Sequence, residues 1–240
     1  MLLIVTMRRR KHTLNQNAFS VLTPEAAYWI GFIMADGNVW RDHLTVRLSK
    51  LDLDHIKKFQ VFLDSSHKVT IAPPHAIGKY TSSPAAVFSV SCRQLVADLL
   101  PYGVVERKSL IAEVKIVDQD RDFWRGYFDG NGTLVWNPEA KTGNKHACSL
   151  ATGSRVLAGQ FAKFVASSLN CDEPPIRSAR KTTYIVHLSG DRAHRLTNLL
   201  YQPDDTALTR KANIAQLVPV DAPSVSRRKM AHDKLHPKVG

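Results

Sequence analysis

One ten-residue segment occurs twice in this chain, and the duplication constrains the fold more than any other feature of the sequence. The first copy, 28–37, reads YWIGFIMADG, and the second copy, 123–132, reads FWRGYFDGNG. The identical pairs are Trp29 with Trp124, Gly31 with Gly126, and Gly37 with Gly132. Because repeated segments mark repeated structural units, the sequence predicts two related halves, each beginning near one copy.

Both halves show the same order of strand-like and helix-like stretches after the repeated segment. Residues 43–49 alternate strictly between polar and apolar side chains, which is typical of a half-buried strand. The predicted elements are strand 43–49, helix 54–63, strand 86–91, helix 94–100, strand 147–151, helix 155–169, strand 182–189 and helix 192–201. We therefore predict an α+β fold whose halves are related by a pseudo-twofold axis.

The distribution of charge along the chain indicates where the two halves begin and end. Lys and Arg number 33 against 21 Asp and Glu, giving a formal net charge of +12. Both ends are basic and poor in periodic apolar positions, as unpacked extensions are. We divide the chain into an N-terminal basic extension 1–20, a first half 21–115, a second half 116–220 and a basic tail 221–240. Such a basic balance indicates a polyanionic partner, most often nucleic acid.

Several protein classes are excluded by what the sequence lacks. No apolar run approaches the roughly 20 residues of a transmembrane helix. Cys92, Cys148 and Cys171 are too widely spaced for a disulfide framework or a metal knuckle. No histidine pair has zinc-ligand spacing, and no Walker loop or GxGxxG segment occurs. We expect an intracellular protein, in a bacterial or phage-infected cytoplasm or in an organelle.

Small residues in the repeated segment indicate how the halves meet. Gly31 and Ala35 share one helix face, as do Gly126 and Gly130, so two helix backbones can approach closely there. The glycine that ends each copy suits the left-handed conformation of a helix C-cap.

Asp36 precedes such a glycine, at the end of a helix. A carboxylate is disfavoured there because the helix dipole is negative at its C-terminus. A bound cation offsets that cost. Oxygen ligands suit Mg²⁺, which can activate water and stabilise a leaving oxygen in phosphodiester hydrolysis.

The two segments resemble the paired motifs of a single-chain LAGLIDADG homing endonuclease. Further phrases resemble the family where it usually has them, namely 106–110, 184–190 and 208–211, so the similarity covers roughly residues 20–215. The resemblance implies two αββαββα halves packed through the motif helices, with antiparallel sheets forming a saddle over DNA. It also implies a monomer that cuts a long, asymmetric double-stranded site, often encoded within a mobile intron or intein.

The resemblance assigns roles to particular residues. Asp36 and Asn131 occupy the positions of the acidic residues, with Gly37 and Gly132 beside them in the metal site. Lys108 and Lys211 match the active-site lysines that orient water or stabilise charge on the phosphate. The implied cofactor is Mg²⁺ or Mn²⁺, with Ca²⁺ as a substitute that supports no turnover.

Asn131 departs from the family, which has an acid there. Its carbonyl can ligate a metal but carries no charge, and Asp129 lies on a different face of the helix, where packing or structural hydrogen bonding is usual. Three interpretations stay open, namely an enzyme with weakened or single-strand cleavage, a decayed copy that only binds DNA, and a deliberately inactivated variant. We hypothesise that Asn131→Asp raises activity.

DNA readout is assigned to the polar face of strand 43–49. A two-stranded ribbon fits the major groove, where polar side chains reach base edges. The predicted DNA-binding residues are Arg41, His43, Thr45, Arg47, Ser49, Lys50, Lys141, Lys145, Arg177, Arg180 and Lys181. The competing interpretations are a non-catalytic DNA-binding regulator and an intron RNA maturase, since RNA rewards the same basic surface.

Overall fold

The structure is a computed structural model, and it describes residues 11–78, 80–140 and 145–219. The first half contains α1 (Pro24–Asp36), β1 (Gly37–Trp40), β2 (His43–Ser49), α2 (Leu53–Phe62), β3 (Thr70–Ala72), β4 (Ala76–Ile77), β5 (Tyr80–Thr81), β6 (Ala85–Ser91) and α3 (Arg93–Leu99). The second half contains α4 (Arg121–Asn131), β7 (Gly132–Trp136), β8 (His146–Thr152), α5 (Arg155–Leu169), β9 (Ile176–Arg180), β10 (Thr183–Ser189), α6 (Asp191–Leu200) and α7 (Thr209–Gln216).

The two halves have the same topology, which confirms the predicted α+β fold. Each builds a four-stranded antiparallel sheet, in the order β1-β2-β6-β3 in the first half and β7-β8-β10-β9 in the second. Apart from the small β4–β5 hairpin of the first half, each half follows the αββαββα order. The additional helix α7 follows the second half.

Capping residues explain where the two motif helices begin. Thr23 accepts a hydrogen bond from the Ala26 amide at 3.1 Å, and Pro24 occupies the first helical turn of α1. Asp120 caps α4 in the same way, accepting from the Phe123 amide at 2.8 Å. Equivalent capping starts both helices at equivalent points, so their small-residue faces come into register.

Part of the predicted N-terminal extension is packed structure. Ala18 and Phe19 are buried in the core, and the Asn15 amide donates to the Leu63 carbonyl at 2.8 Å. The boundary at residue 20 therefore lies inside the first half, because two apolar residues within the basic segment reach its core. Residues 1–10 and the whole of the predicted tail 221–240 are outside the described residues.

The motif helices α1 and α4 pack against each other at the centre of the molecule. A Cβ added to Gly31 would overlap the Phe123 carbonyl oxygen, and one added to Gly126 would overlap the Tyr28 carbonyl oxygen. A Cβ at Gly130 would overlap that of Ala35. The small residues of the two motifs therefore lie where the helices meet, and the close approach of the two backbones depends on glycine at positions 31, 126 and 130.

The predicted left-handed conformation of Gly37 and Gly132 is wrong. Their φ and ψ angles are −79° and 154°, and −88° and 159°, because each helix passes directly into a strand. Glycine is needed for a different reason. A Cβ at Gly37 would lie 2.8 Å from the Ile33 carbonyl oxygen, and a Cβ at Gly132 would lie 2.5 Å from the Phe128 carbonyl oxygen.

His55 is a fully buried histidine between α2 and α1. Its Nε2 lies 3.1 Å from the Tyr28 hydroxyl, and the rings of Trp29 and Phe32 lie 4.9 and 4.6 Å away, centroid to centroid. Burial lowers the pKa of His55 to about 3, and Lys58 adds to the effect. The imidazole is therefore neutral in the folded protein near neutral pH.

We expect acid to destabilise the protein through His55. The folded pKa is lowered, so the unfolded chain binds the proton first, and stability falls as the pH drops from about 6.5 towards 3. At pH 5 the free energy of unfolding should be lower than at neutral pH by about 2 kcal/mol. Urea unfolding of the wild type and of His55→Gln between pH 5 and pH 8 measures it. The variant should lose less stability on acidification, and equal slopes would contradict the assignment.

Among the described residues, no helix is both long enough and apolar enough to cross a membrane.

Candidate nucleic-acid interface and cleavage site

Asp36 lies at the junction of the two motif helices. It is the last residue of α1, and a Cβ at Gly130 would lie 3.2 Å from its Oδ2, so the carboxylate reaches the end of the partner helix. The side chain is exposed to solvent. Partial desolvation by surrounding protein nevertheless raises the pKa of Asp36, while the ammonium groups of Lys211 and Lys108 oppose that shift. A carboxylate in this setting gains from a nearby cation.

Lys108 and Lys211 occupy equivalent places in the two halves. Lys108 Nζ donates to the Gly37 carbonyl at the end of α1. Lys211 Nζ donates to the carbonyls of Phe128, Asp129 and Gly132, at 2.6, 2.7 and 2.6 Å. Both ammonium groups thus meet the negative end of a helix dipole.

Both lysines are buried, 8% and 2% exposed for Lys108 and Lys211 respectively. Burial lowers the pKa of Lys108, and it lowers the pKa of Lys211 to about 8. In the free protein the two side chains complete the ends of the motif helices. Their proximity to Asp36 places both at the predicted site, while the predicted catalytic roles stay predictions.

Asn131 takes the corresponding place at the end of α4. Its Nδ2 donates to the Tyr127 hydroxyl at 3.0 Å, and that hydroxyl donates to Thr152 Oγ1 at 3.0 Å. The Ser154 amide also donates to Thr152 Oγ1, at 3.2 Å. This hydrogen-bond chain holds the amide beside a cavity of about 270 Å³ that is lined by both motif helices and β8.

Few side chains at this junction could ligate a metal ion. Within the parts of the chain that the structure describes, no group of three His, Cys, Asp or Glu side chains could hold a metal. Asp36 offers one carboxylate and Asn131 one neutral carbonyl oxygen. Because Mg²⁺ is commonly held by one or two carboxylates together with water and substrate phosphates, these residues fit a magnesium ion that relies on DNA for further ligands.

Asp129 has a different role from Asn131. It is fully buried and accepts hydrogen bonds from the hydroxyls of Tyr28 and Tyr201, both at 2.7 Å, and from the Leu208 amide at 2.6 Å. Burial disfavours the ionised form of Asp129 and raises its pKa, whereas the three hydrogen bonds stabilise the ionised form and oppose that shift. Asp129 therefore does not replace the missing acid.

The same contacts position Lys211. Leu208 is the N-cap residue of α7, so Asp129 fixes the start of the helix that carries Lys211. From the first half, Lys58 Nζ donates to the Ala207 carbonyl at 2.9 Å. The sequence gives no periodic signal for this arrangement, because its members come from distant segments.

The first sheet presents the predicted reading face. In β2 the residues Leu44, Val46 and Leu48 are buried, while the alternate side chains face outward. The neighbouring strands add further outward polar residues that the sequence did not indicate. They are Asn38, Thr70, Ser89 and Ser91. Strands as short as β1 and β3 show no alternating pattern in the sequence, so only their pairing in the sheet reveals which of their side chains face outward.

Arg41 lies in the β1–β2 turn at a φ of 53°. Its amide donates to Glu106 Oε1 at 2.7 Å, and its guanidinium lies 5.6 Å from the Trp40 ring centroid. At the opposite end of β2, Lys50 is exposed. The predicted contacts of the first half therefore run along the full length of β2.

The second sheet is less polar on its outward face. Arg177 and Arg180 lie on the exposed edge strand β9, and Lys181 and Lys145 are exposed at strand ends. Lys141 is outside the described residues. The outward face also carries polar residues that sequence reasoning missed, Thr133, Ser149 and His187, and the apolar residues Val135, Ala147, Ala151 and Ile185.

Arg47 is the only arginine among the outward-facing residues of β2. Its guanidinium group can donate two hydrogen bonds to the major-groove edge of a guanine. We expect Arg47→Ala to weaken binding to the preferred DNA site by roughly 1–3 kcal/mol and to relax sequence preference at one position. Binding assays with single-base variants of the selected site measure this. A uniform loss across all sequences would instead place Arg47 on a phosphate.

Comparison with solved structures defines the class of this fold. The homing endonuclease I-WcaI bound to its DNA recognition sequence has a TM-score of 0.57 at 13% identity, covering 82% of this chain and 91% of that chain. The chain therefore has the fold of single-chain LAGLIDADG homing endonucleases, as the repeated segment predicted. No protein-family model and no curated protein matches the sequence.

Two further structures support the same fold. LAGLIDADG meganuclease I-AabMI bound to uncleaved DNA has a TM-score of 0.51 at 13% identity, covering 90% of this chain and 93% of that chain. LAGLIDADG homing endonuclease I-GzeII in complex with its DNA target has a TM-score of 0.52 at 11% identity, covering 91% and 94%.

Proposed function

We propose that this chain is a monomeric, site-specific double-stranded-DNA-binding protein that retains half of a metal-dependent cleavage site. The observation that carries the proposal is the outward row of His43, Thr45, Arg47 and Ser49, on a fold that three solved homing endonucleases share in their DNA-bound structures. Two non-identical halves read two different half-sites, so the target is long and asymmetric. An intracellular location is part of the proposal, because double-stranded DNA targets of this length lie inside cells.

Cleavage is proposed to be slow and confined largely to one strand. Asp36 supplies an anionic oxygen at the end of α1, while Asn131 supplies only a neutral one at the end of α4. A magnesium ion held by Asp36 and Asn131 would lower the pKa of bound water and neutralise charge on the phosphate. Lys108 and Lys211, held at the carbonyls beside that position, add positive charge where the phosphate would approach.

A non-catalytic DNA-binding protein of the same fold is the second candidate. The hydrogen bond from Asn131 to Tyr127 favours it, because the amide is a stable member of a structural network. The intron-RNA-binding alternative has no feature in its favour beyond the basic charge.

The test is a selection from a random double-stranded DNA library with the full chain, followed by cleavage assays with Mg²⁺ on the selected site. Asp36→Asn serves as the matched control because it removes the charge at nearly equal size. Specific binding with slow Mg²⁺-dependent nicking that Asp36→Asn abolishes supports the whole proposal. Specific binding without nicking favours the second candidate. Failure to select any site, or preference for structured RNA, overturns DNA recognition.

A further inference from the structure

The outward faces of the two sheets can be compared position by position, because the glycine that ends each motif helix pairs with the second strand of its sheet. Gly37 pairs with Val46 in β2, and Gly132 pairs with Leu150 in β8. The outward positions of the two strands then correspond in order, His43 to Ala147, Thr45 to Ser149, and Arg47 to Ala151. The strand β8 therefore has two methyl groups where β2 has an imidazole and a guanidinium group.

Branched apolar side chains lie beside both alanines. Val135 in β7 pairs with Ala147, and Ile185 in β10 pairs with Ala151. Val135 is 49% exposed, and Ile185 is partly exposed. Because an alanine side chain is short, each branched side chain protrudes beyond its cross-strand partner.

The first sheet also has outward apolar residues, but each of them pairs with a side chain that can form hydrogen bonds. Trp40 pairs with His43, and Val87 pairs with Arg47. The corresponding pairs of the second sheet consist of two apolar residues each. The difference between the halves is therefore one of chemistry at matched positions, not one of topology.

Basic residues at one edge of the second sheet suit DNA as the molecule that covers this face. Arg177 pairs with Ile185 from the edge strand β9, and Arg180 and Lys181 follow at the end of that strand. Contacts to phosphates position a duplex without reading its sequence. A duplex held by this basic edge presents its bases to the apolar pairs.

The C5-methyl group of thymine is the apolar contact that base edges offer in the major groove. An aliphatic side chain neither donates nor accepts hydrogen bonds. A polar base edge placed against it therefore loses hydrogen bonds to water without replacement, which costs free energy. A thymine methyl group instead buries apolar surface, which is favourable.

Resting on the proposed function, we infer that the second half recognises a thymine-containing half-site through C5-methyl groups that contact Val135 and Ile185. The first half recognises its half-site mainly through hydrogen bonds from the outward side chains of β2. The two halves thus read DNA by different chemistry although they share one topology.

The test compares thymine with deoxyuridine, which lacks only the C5-methyl group and keeps the same pairing edge. Each thymine of the site selected by the parent chain is replaced singly by deoxyuridine. Affinity is measured for the parent chain, Val135→Ser, Ile185→Ser and Val156→Ser. Val156 is the matched control, since it is 55% exposed on α5, which packs on the other face of the sheet. Circular dichroism checks that each variant folds.

The parent chain should lose about fourfold in affinity for each deoxyuridine that removes a contacted methyl group, and these positions should lie in one half-site. The loss should be nearly independent of salt, because no phosphate contact changes. In Val135→Ser or Ile185→Ser, deoxyuridine at the contacted position should cost nothing further, because the partner of the methyl group is gone. Val156→Ser should keep the full sensitivity of the parent chain.

Two results would overturn recognition of methyl groups while leaving DNA binding intact. One is an affinity that deoxyuridine leaves unchanged at every thymine. The other is a set of losses that is the same in all three variants as in the parent chain. If the parent chain selects no DNA site, the proposed function fails instead, and this inference fails with it.

Discussion

Asn131→Asp should raise Mg²⁺-dependent cleavage of the selected DNA by about a hundredfold, equivalent to about 2.7 kcal/mol of transition-state stabilisation. The substitution places a second carboxylate at the end of α4, opposite Asp36 at the end of α1. Two anions at one junction attract a divalent cation far more strongly than one does. The gain should appear in kcat, since the DNA-reading face is unchanged.

The local hydrogen bonds can accommodate the new carboxylate. At present Asn131 donates to the Tyr127 hydroxyl, which donates to Thr152. With an aspartate, the hydroxyl of Tyr127 can turn to donate to the carboxylate, and Thr152 can donate to Tyr127. Thr152 still accepts from the Ser154 amide, so reversing the chain leaves no buried polar group unpaired.

A second readout separates metal binding from catalysis. Without metal, the added charge repels Asp36, so Asn131→Asp should unfold at a lower temperature than the parent chain. Mg²⁺ or Ca²⁺ should stabilise the variant more than the parent, because a ligand that binds the folded state raises its stability. Asp36→Asn in the variant background is the control and should abolish both effects. Equal cleavage by parent and variant would refute the role assigned to Asn131.

The sequence predicted most of the elements but only part of the site. Long amphipathic segments such as 155–169 were found with their correct limits, because helical periodicity is strong over many residues. Short strands such as β1 and β3 were supplied only by the family resemblance, since three or four residues show no period. The glycine ending each motif was assigned the wrong conformation. A glycine can be required because the backbone has a positive φ or because another atom lies too close for a side chain. The sequence alone does not show which of these two reasons applies.

Contacts between distant segments account for the rest of the site. Asp129 meets two tyrosines and an amide from three separate elements, and Lys211 reaches carbonyls in α4. Such contacts depend on tertiary geometry rather than on spacing along the chain. The position of Lys211 was predicted from the resemblance, but its hydrogen bonds to the helix end were not.

The helix interface should be the most sensitive place in the molecule to an added methyl group. We expect Gly126→Ala to lower the free energy of unfolding by about 3 kcal/mol or more. The new Cβ would overlap the Tyr28 carbonyl oxygen, and backbone atoms of a packed helix cannot move aside as a flexible side chain can. Relief requires separating α1 from α4, which also displaces Asp36 from the end of α4.

Gly159→Ala is the matched control, because Gly159 also lies within a helix, α5. A Cβ there would meet only Ile176 Cδ1, at 4.0 Å. This substitution should stabilise the protein by about 0.5–1 kcal/mol, since alanine loses less backbone entropy than glycine in a helix. Urea unfolding of both variants at pH 7.5 measures the difference. Similar stabilities would mean that α1 and α4 tolerate a wider separation, and the small-residue face would then not set the distance between the halves.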